Sequence, residues 1–185
     1  MRAWFGSLVV LCTVGACDKE TPTSKADSKA DAKADANGPI GAFSKYKAKS
    51  MASEAKINLP SISTGVRIAF EEERAEPGSL TVVTGQLPSS TPMTPAAGAC
   101  CKEPDGTCAP DMGDWNQEGW KTVGFTPGNP HRYSYEIITK DQTVTIRAQG
   151  DLDCDGVLST YEMVGTVVDG SLEFSPALTE TDPLE

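Results

Sequence analysis

The sequence predicts an α+β domain: one long amphipathic helix packed on a four-stranded antiparallel sheet, with a disulfide-stapled irregular segment between them. Apolar residues recur at threes and fours through residues 40–74, the period of a helix with one buried face. Beyond residue 118, four short segments alternate apolar and polar residues as half-buried strands do. The connections between them are short, and short connections join antiparallel neighbours.

The 185 residues are enough for one domain with appendages. A balance of 26 acidic against 16 basic residues gives a net charge of −10. Nucleic acid reads as excluded, because a polyanion rewards basic patches.

Residues 1–16 read as an export signal. Arg2 is its positive end, and Leu8-Val9-Val10-Leu11 belongs to an apolar run too short to span a bilayer as a helix. It ends in Val14-Gly15-Ala16-Cys17. Small residues before a cysteine resemble the lipobox of bacterial lipoproteins. That implies a fatty acyl (palmitate) anchor on Cys17, which would become the mature N-terminus in the membrane. Residues 17–39 then form a tether rich in Lys, Ala and Asp, with no large apolar residue to bury. The globular domain takes residues 40–185.

Its first element is the helix over 40–74, with Phe43, Met51, Ala55, Leu59, Ile62, Val66 and Phe70 on the apolar stripe and Lys47 interrupting it. Pro60 lacks an amide donor and predicts a kink or a split. Residues 79–118 read as irregular, with five prolines between Pro88 and Pro110 and one short strand at Leu80–Thr84. The sheet follows: Trp120–Phe125, Tyr133–Ile138, Thr143–Ala148, and residues 162–169 extended by Ser171–Phe174.

Between the last two segments lies Asp151-Leu152-Asp153-Cys154-Asp155-Gly156-Val157-Leu158-Ser159-Thr160-Tyr161-Glu162. It fits the calcium-loop pattern D-x-[DN]-x-[DN]-G-x5-E. A calcium ion takes six to eight oxygens, so carboxylates at alternate positions converge on one point. Asp151, Asp153 and Asp155 are the expected ligands, with the Val157 carbonyl, Ser159 through water, and Glu162 closing the shell. Gly156 permits the turn, and Leu158 is expected to point into a core. Both flanks read as strands, so the loop is an EF-like loop in a hairpin and not a helix-loop-helix hand. The competing reading is an acidic turn held by its own Asx hydrogen bonds.

Cys100, Cys101, Cys108 and Cys154 lie in the exported body. A bond between the adjacent Cys100 and Cys101 would be strained. One of them is therefore expected to pair with Cys108 and the other with Cys154, and the sequence leaves open which. Zinc on four cysteines is disfavoured by the absence of paired C-x2-C spacing and by export into an oxidising compartment.

No catalytic residues are assigned. His131 is the only histidine, and no G-x-S-x-G or similar nucleophile signature accompanies it. Trp115, Trp120, Tyr133 and Tyr135 read as core more readily than as a binding face. No small-molecule substrate is evident.

Several blocks resemble the head domain of type IV pilins, in particular the pilin-like proteins of delta-proteobacteria and myxobacteria. They are Ser53-Glu54-Ala55 with Asn58-Leu59 and Ile62, then Trp120-Lys121, His131-Arg132-Tyr133-Ser134-Tyr135-Glu136, and Gly150–Gly156 with Ser159-Thr160. The likeness covers about residues 43–175. It departs at the N-terminus, where the filament-forming half-helix of pilins gives way to a lipoprotein signal and a tether. The resemblance implies a non-enzymatic, lipid-anchored envelope protein, periplasmic or at the cell surface. Its expected partners are pilus or secretion-system components, or an adhesion target. The alternative is a calcium-responsive sensor lipoprotein.

Overall fold

The computed structural model describes residues 38–75, 78 and 81–185, all within one compact unit, Ala34–Glu185. The signal, Cys17 and nearly all of the tether lie outside the described residues.

Helix α1 runs unbroken over Pro39–Glu71. Gly38 caps it in extended conformation and Pro39 takes the first turn, where a missing amide costs nothing. Its buried residues, Ala52, Ala55, Leu59, Ile62, Ser63, Val66, Ala69 and Phe70, follow the helical period. The stripe predicted from the sequence therefore holds from Ala55 onward but not at its start. Phe43 is 69% exposed, and nothing from Pro39 to Ser50 is buried. Pro60 neither splits nor ends the helix. It sits on the exposed side, where water can satisfy the carbonyl left without a partner, and its own carbonyl accepts from Ser63 Oγ and Thr64 Oγ1.

The sheet corrects the expected architecture of a long helix on four strands, together with the pilin pattern attached to it. Six antiparallel strands are present: β3 (Thr91–Thr94), β4 (Ser134–Lys140), β5 (Thr143–Gly150), β6 (Ser159–Val168), β7 (Ser171–Phe174) and β8 (Thr179–Thr181). They run β3-β4-β5-β6-β7, and β8 pairs with the first half of β6 where β7 pairs with the second. Strands β1 (Arg74–Ala75) and β2 (Val82–Val83) form a separate two-stranded ribbon. The predicted strand at Trp120–Phe125 is instead the short helix α2, Glu118–Val123. Gly124 ends it at φ +63°, and the buried Trp120 indole donates to Thr94 Oγ1 at 3.1 Å. β3 arises from a segment that reads as irregular, because Pro92 is tolerated on an edge strand.

α1 lies across β5, β6 and β7 and beside α2. The contact with α2 is close: a Cβ at Gly65 would stand 2.1 Å from the Val123 carbonyl oxygen. The core between the layers holds Leu59, Ile62 and Val66 from the helix, and Tyr135, Ile137, Val144, Ile146 and Tyr161 from the sheet. A cluster of rings, Trp115, Trp120 and Phe125, closes one end, with centroids 5.4–5.9 Å apart.

One half-buried carboxylate ties these layers together. Glu54 on α1 accepts from the backbone amides of Arg132 (2.8 Å) and Tyr133 (3.1 Å) and from the Tyr135 hydroxyl (2.8 Å). Asn58, one turn on, donates to that hydroxyl at 2.7 Å. Burial raises the Glu54 pKa above 4.5, and the three donors oppose the rise without cancelling it.

Gly65→Ala should lower stability by about 1–3 kcal/mol, because backbone lies against the position and cannot yield cheaply, and denaturant unfolding would measure the loss. Glu54→Gln should also cost about 1–3 kcal/mol, since an amide group would face a backbone N–H where an oxygen now accepts. The folded state holds the Glu54 proton more tightly than the unfolded state, so the wild type loses stability as pH rises from 4.5 through the folded value. The glutamine variant lacks that slope. The gap between the two proteins should therefore be widest below pH 4.5 and narrow above it.

Candidate metal centre

The acidic loop is the turn of the β5–β6 hairpin. The two strands pair in unbroken register from Thr143↔Thr166 to Gly150↔Ser159, and the chain between them, residues 151–158, folds back on itself. Gly150 is required at the exit because the Tyr133 ring stands 3.0 Å from where a Cβ would be. Asp151 is buried, 8% exposed, and acts as the frame of the loop. Its Oδ1 accepts from the Asp155 amide at 3.1 Å and its Oδ2 from the Gly156 amide at 3.0 Å. Asp155 Oδ1 accepts in turn from the Val157 amide at 2.8 Å. Gly156 allows the turn at φ +98°.

This wrapping brings Asp151, Asp153 and Asp155 together, with one carboxylate oxygen from each within 4.8 Å of the others. Asp153 and Asp155 are exposed, and among the described residues no lysine or arginine pairs with any of the three. Like charges held this close repel, and a divalent cation would remove the repulsion. The remaining ligands of the expected shell lie elsewhere. Ser159 is fully buried, its hydroxyl 3.0 Å from that of Tyr133. Glu162 sits on β6, where its carboxylate accepts from Arg147 Nε at 2.5 Å. Arg147 is opposite Glu162 on one side and Glu136 on the other, so strand register sets this trio. Val157 remains in the loop, its side chain 44% exposed. The core residue is Leu152 and not Leu158, which is only half-buried. The donor set fits a hard cation on three carboxylates, completed by backbone oxygen and water.

The two disulfides fix the loop from outside. Cys100 pairs with Cys108 and Cys101 with Cys154, the latter across 53 residues of sequence. The first closes the short turns at Ala99–Lys102 and Pro104–Gly106, and the second fastens those turns to the acidic loop. The Arg132 guanidinium adds hydrogen bonds to the carbonyls of Asp105 and Gly106, at 3.0 and 2.8 Å. Sequence reasoning missed Arg132 because a lone arginine before a strand carries no signal of a backbone-binding role.

His131 lies away from the loop. Its backbone exchanges hydrogen bonds with Cys108, its ring stands 5.9 Å from that of Trp115, and it is 2% exposed. Neither ring nitrogen makes a hydrogen bond of good geometry, and burial lowers its pKa, a shift that the nearby Asn129 backbone opposes only weakly. Among the described residues no serine or carboxylate hydrogen-bonds its ring, and the sulfurs grouped with it are joined in the Cys100–Cys108 bond. Trp115, Trp120, Tyr133 and Tyr135 are all buried and present no binding face. Compared with protein-family models, with characterised proteins and with solved structures, the chain matches none.

The two ends of the loop should respond differently to mutation. Asp151→Ala removes the acceptor of two backbone amides and should cost about 1–3 kcal/mol with or without calcium. Asp153→Ala removes only a repelling, exposed carboxylate, so calcium-free stability should hold or rise. Denaturant unfolding of both variants in chelator would separate the frame from the ligand.

Proposed function

We propose that this is a non-enzymatic, lipid-anchored protein of the bacterial cell envelope whose head domain carries a structural calcium ion and serves interaction. The observation that carries the reading is the convergence of Asp151, Asp153 and Asp155 in a hairpin loop where, among the described residues, no lysine or arginine forms an ion pair with them. Two disulfides support an oxidising compartment, which agrees with the signal-like N-terminus and the lipobox-like Cys17. The partners suggested by the pilin-like blocks are pilus or secretion-system components, or an adhesion target. That part of the reading rests on sequence resemblance alone. A shell lacking Glu162 suits the weak, millimolar range of extracellular calcium modules.

A second reading, a calcium-responsive binding module, draws on the place of Asp153. Its side chain belongs to the carboxylate cluster and also to the wall of an open cleft of about 810 Å³. Phe43 and Met51 of α1 line the same cleft, with Leu152 beside Asp153. An ion at the cluster would change the charge of that wall.

Thermal unfolding in calcium and then in chelator tests the proposal. Calcium should raise Tm, because a ligand bound only by the folded state stabilises it, and Asp153→Ala should abolish the rise. Equal melting in both conditions would leave an empty acidic turn and overturn the calcium reading. Half-saturation near millimolar favours the structural ion, and a micromolar value favours the responsive module.

A further inference from the structure

Among the described residues, His131 is the one buried side chain whose polar atoms make no hydrogen bond of good geometry. It is 2% exposed. An imidazole taken out of water keeps a donor and an acceptor to satisfy, and leaving them unmet costs free energy. Its ring stands 5.9 Å from that of Trp115 at 71°, a packing that a phenylalanine would serve without that cost. Neither the core nor the acidic loop accounts for a histidine here.

Two sulfurs do. Cys108 and His131 face each other across an isolated antiparallel bridge and exchange both backbone hydrogen bonds, at 2.7 and 3.0 Å. Residues paired in this way carry their side chains on one face. Cys100, in the short turn Ala99–Lys102, joins the group through its bond to Cys108. A ring nitrogen and both sulfurs lie within 4.8 Å of one another, with Cys100 3% and Cys108 0% exposed. Metal–sulfur and metal–nitrogen bonds of about 2.3 and 2.0–2.1 Å would hold such atoms roughly 4 Å apart, so separating the sulfurs opens a place for one ion. Two thiolates and an imidazole suit soft or borderline cations and not calcium. The Asn129 backbone lies beside the ring, and a ligating imidazole commonly gives its other nitrogen to such a group.

We propose that Cys100, Cys108 and His131 form a thiol-gated site for one soft cation, zinc or copper(I), closed while the Cys100–Cys108 bond exists and open once it is reduced. A dithiol supplies the two electrons and two protons, its own sulfurs becoming joined as Cys100 and Cys108 become thiols. Metal entry expels those two protons and leaves two thiolates and a neutral imidazole on the ion. Passing the two electrons to another disulfide reforms the Cys100–Cys108 bond and releases the metal. Zinc with two thiolates is a neutral group, which burial favours, and water would take its fourth position. The site shares no residue with the acidic loop and does not rest on calcium.

The full chain, reduced with excess dithiol and freed of it without air, tests this by titration with Zn²⁺ and with Cu⁺ against a chromophoric chelator. The reduced protein should take up one equivalent of metal and the oxidised protein none at these residues. Direct competition between the two ions names the preferred one. Co²⁺, standing in for zinc, should give sulfur-to-metal charge-transfer bands. His131→Phe keeps the ring packing and should weaken binding at least as much as losing an outer-shell partner does, about 10- to 100-fold. Cys100→Ser, which leaves the ring untouched, should weaken it as severely. Cys101→Ser with Cys154→Ser removes the other pair of sulfurs and should leave affinity unchanged. Zinc should raise the Tm of the reduced wild type and of that double variant, but not of His131→Phe. No uptake by the reduced protein would overturn the proposal. So would equal affinity in His131→Phe, or binding that disappears with Cys101 and Cys154.

Discussion

The fold depends first on a carboxylate placed where carboxylates are costly. Glu54 lies between helix and sheet, and burial there disfavours its charge. It is tolerated because two backbone amides at the entry to β4 have no ladder partner of their own and take its two oxygens. The Tyr135 hydroxyl adds a third donor and is itself held by Asn58. An apolar residue at position 54 would pack as well but would orphan the amides of Arg132 and Tyr133. The carboxylate therefore anchors the start of β4 to the helix, and the two-residue turn between Lys140 and Thr143 carries the pairing on into β5.

That register determines what the acidic loop can offer a cation. Pairing of β4, β5 and β6 sets Glu136, Arg147 and Glu162 side by side, and the guanidinium takes both carboxylates. A residue that closes the shell in a helix-loop-helix hand is here occupied by its strand neighbour. In such a hand the last ligand lies on a helix that can swing toward the ion; here it lies on a strand paired on both edges. Ser159 is withdrawn in the same way, by Tyr133 in the core. The hairpin keeps the turn of the motif and loses the end of it. Asp151 survives as the frame because it serves the backbone first.

Much of this was legible in the sequence. The aspartate spacing marked the loop, alternation marked β4, β5 and β6, and the adjacency of Cys100 and Cys101 excluded one of the three pairings. What was not legible has physical reasons. Trp120, Val123 and Phe125 alternate with polar residues as a strand does, but the α2 turn is decided by Gly124 at its end and by an indole that must reach Thr94. β3 and β8 are short edge strands whose pairing is chosen by β4 and β6, not by their own composition. The start of α1 reads as core because Phe43 and Met51 keep the period, and periodicity does not reveal where the sheet beneath the helix ends.

That overhang bears on how the protein would meet a partner. Helical turns that bury nothing are marginal in water, since propagation alone scarcely outweighs the cost of ordering them. The first three turns of α1 persist on continuity with the packed part of the helix, while presenting Ile40, Phe43 and Tyr46 to solvent. Scattered apolar side chains on a surface need no explanation, but Phe43 and Tyr46 continue in line with Ile57 and Ile68 on a helix whose terminal charges oppose its dipole. Both features weaken an isolated helix, and here they are offset by the packing of its inner face on the sheet. The inner face of α1 is thus committed to folding through Glu54 and the apolar stripe, and the outer face takes no part in the core.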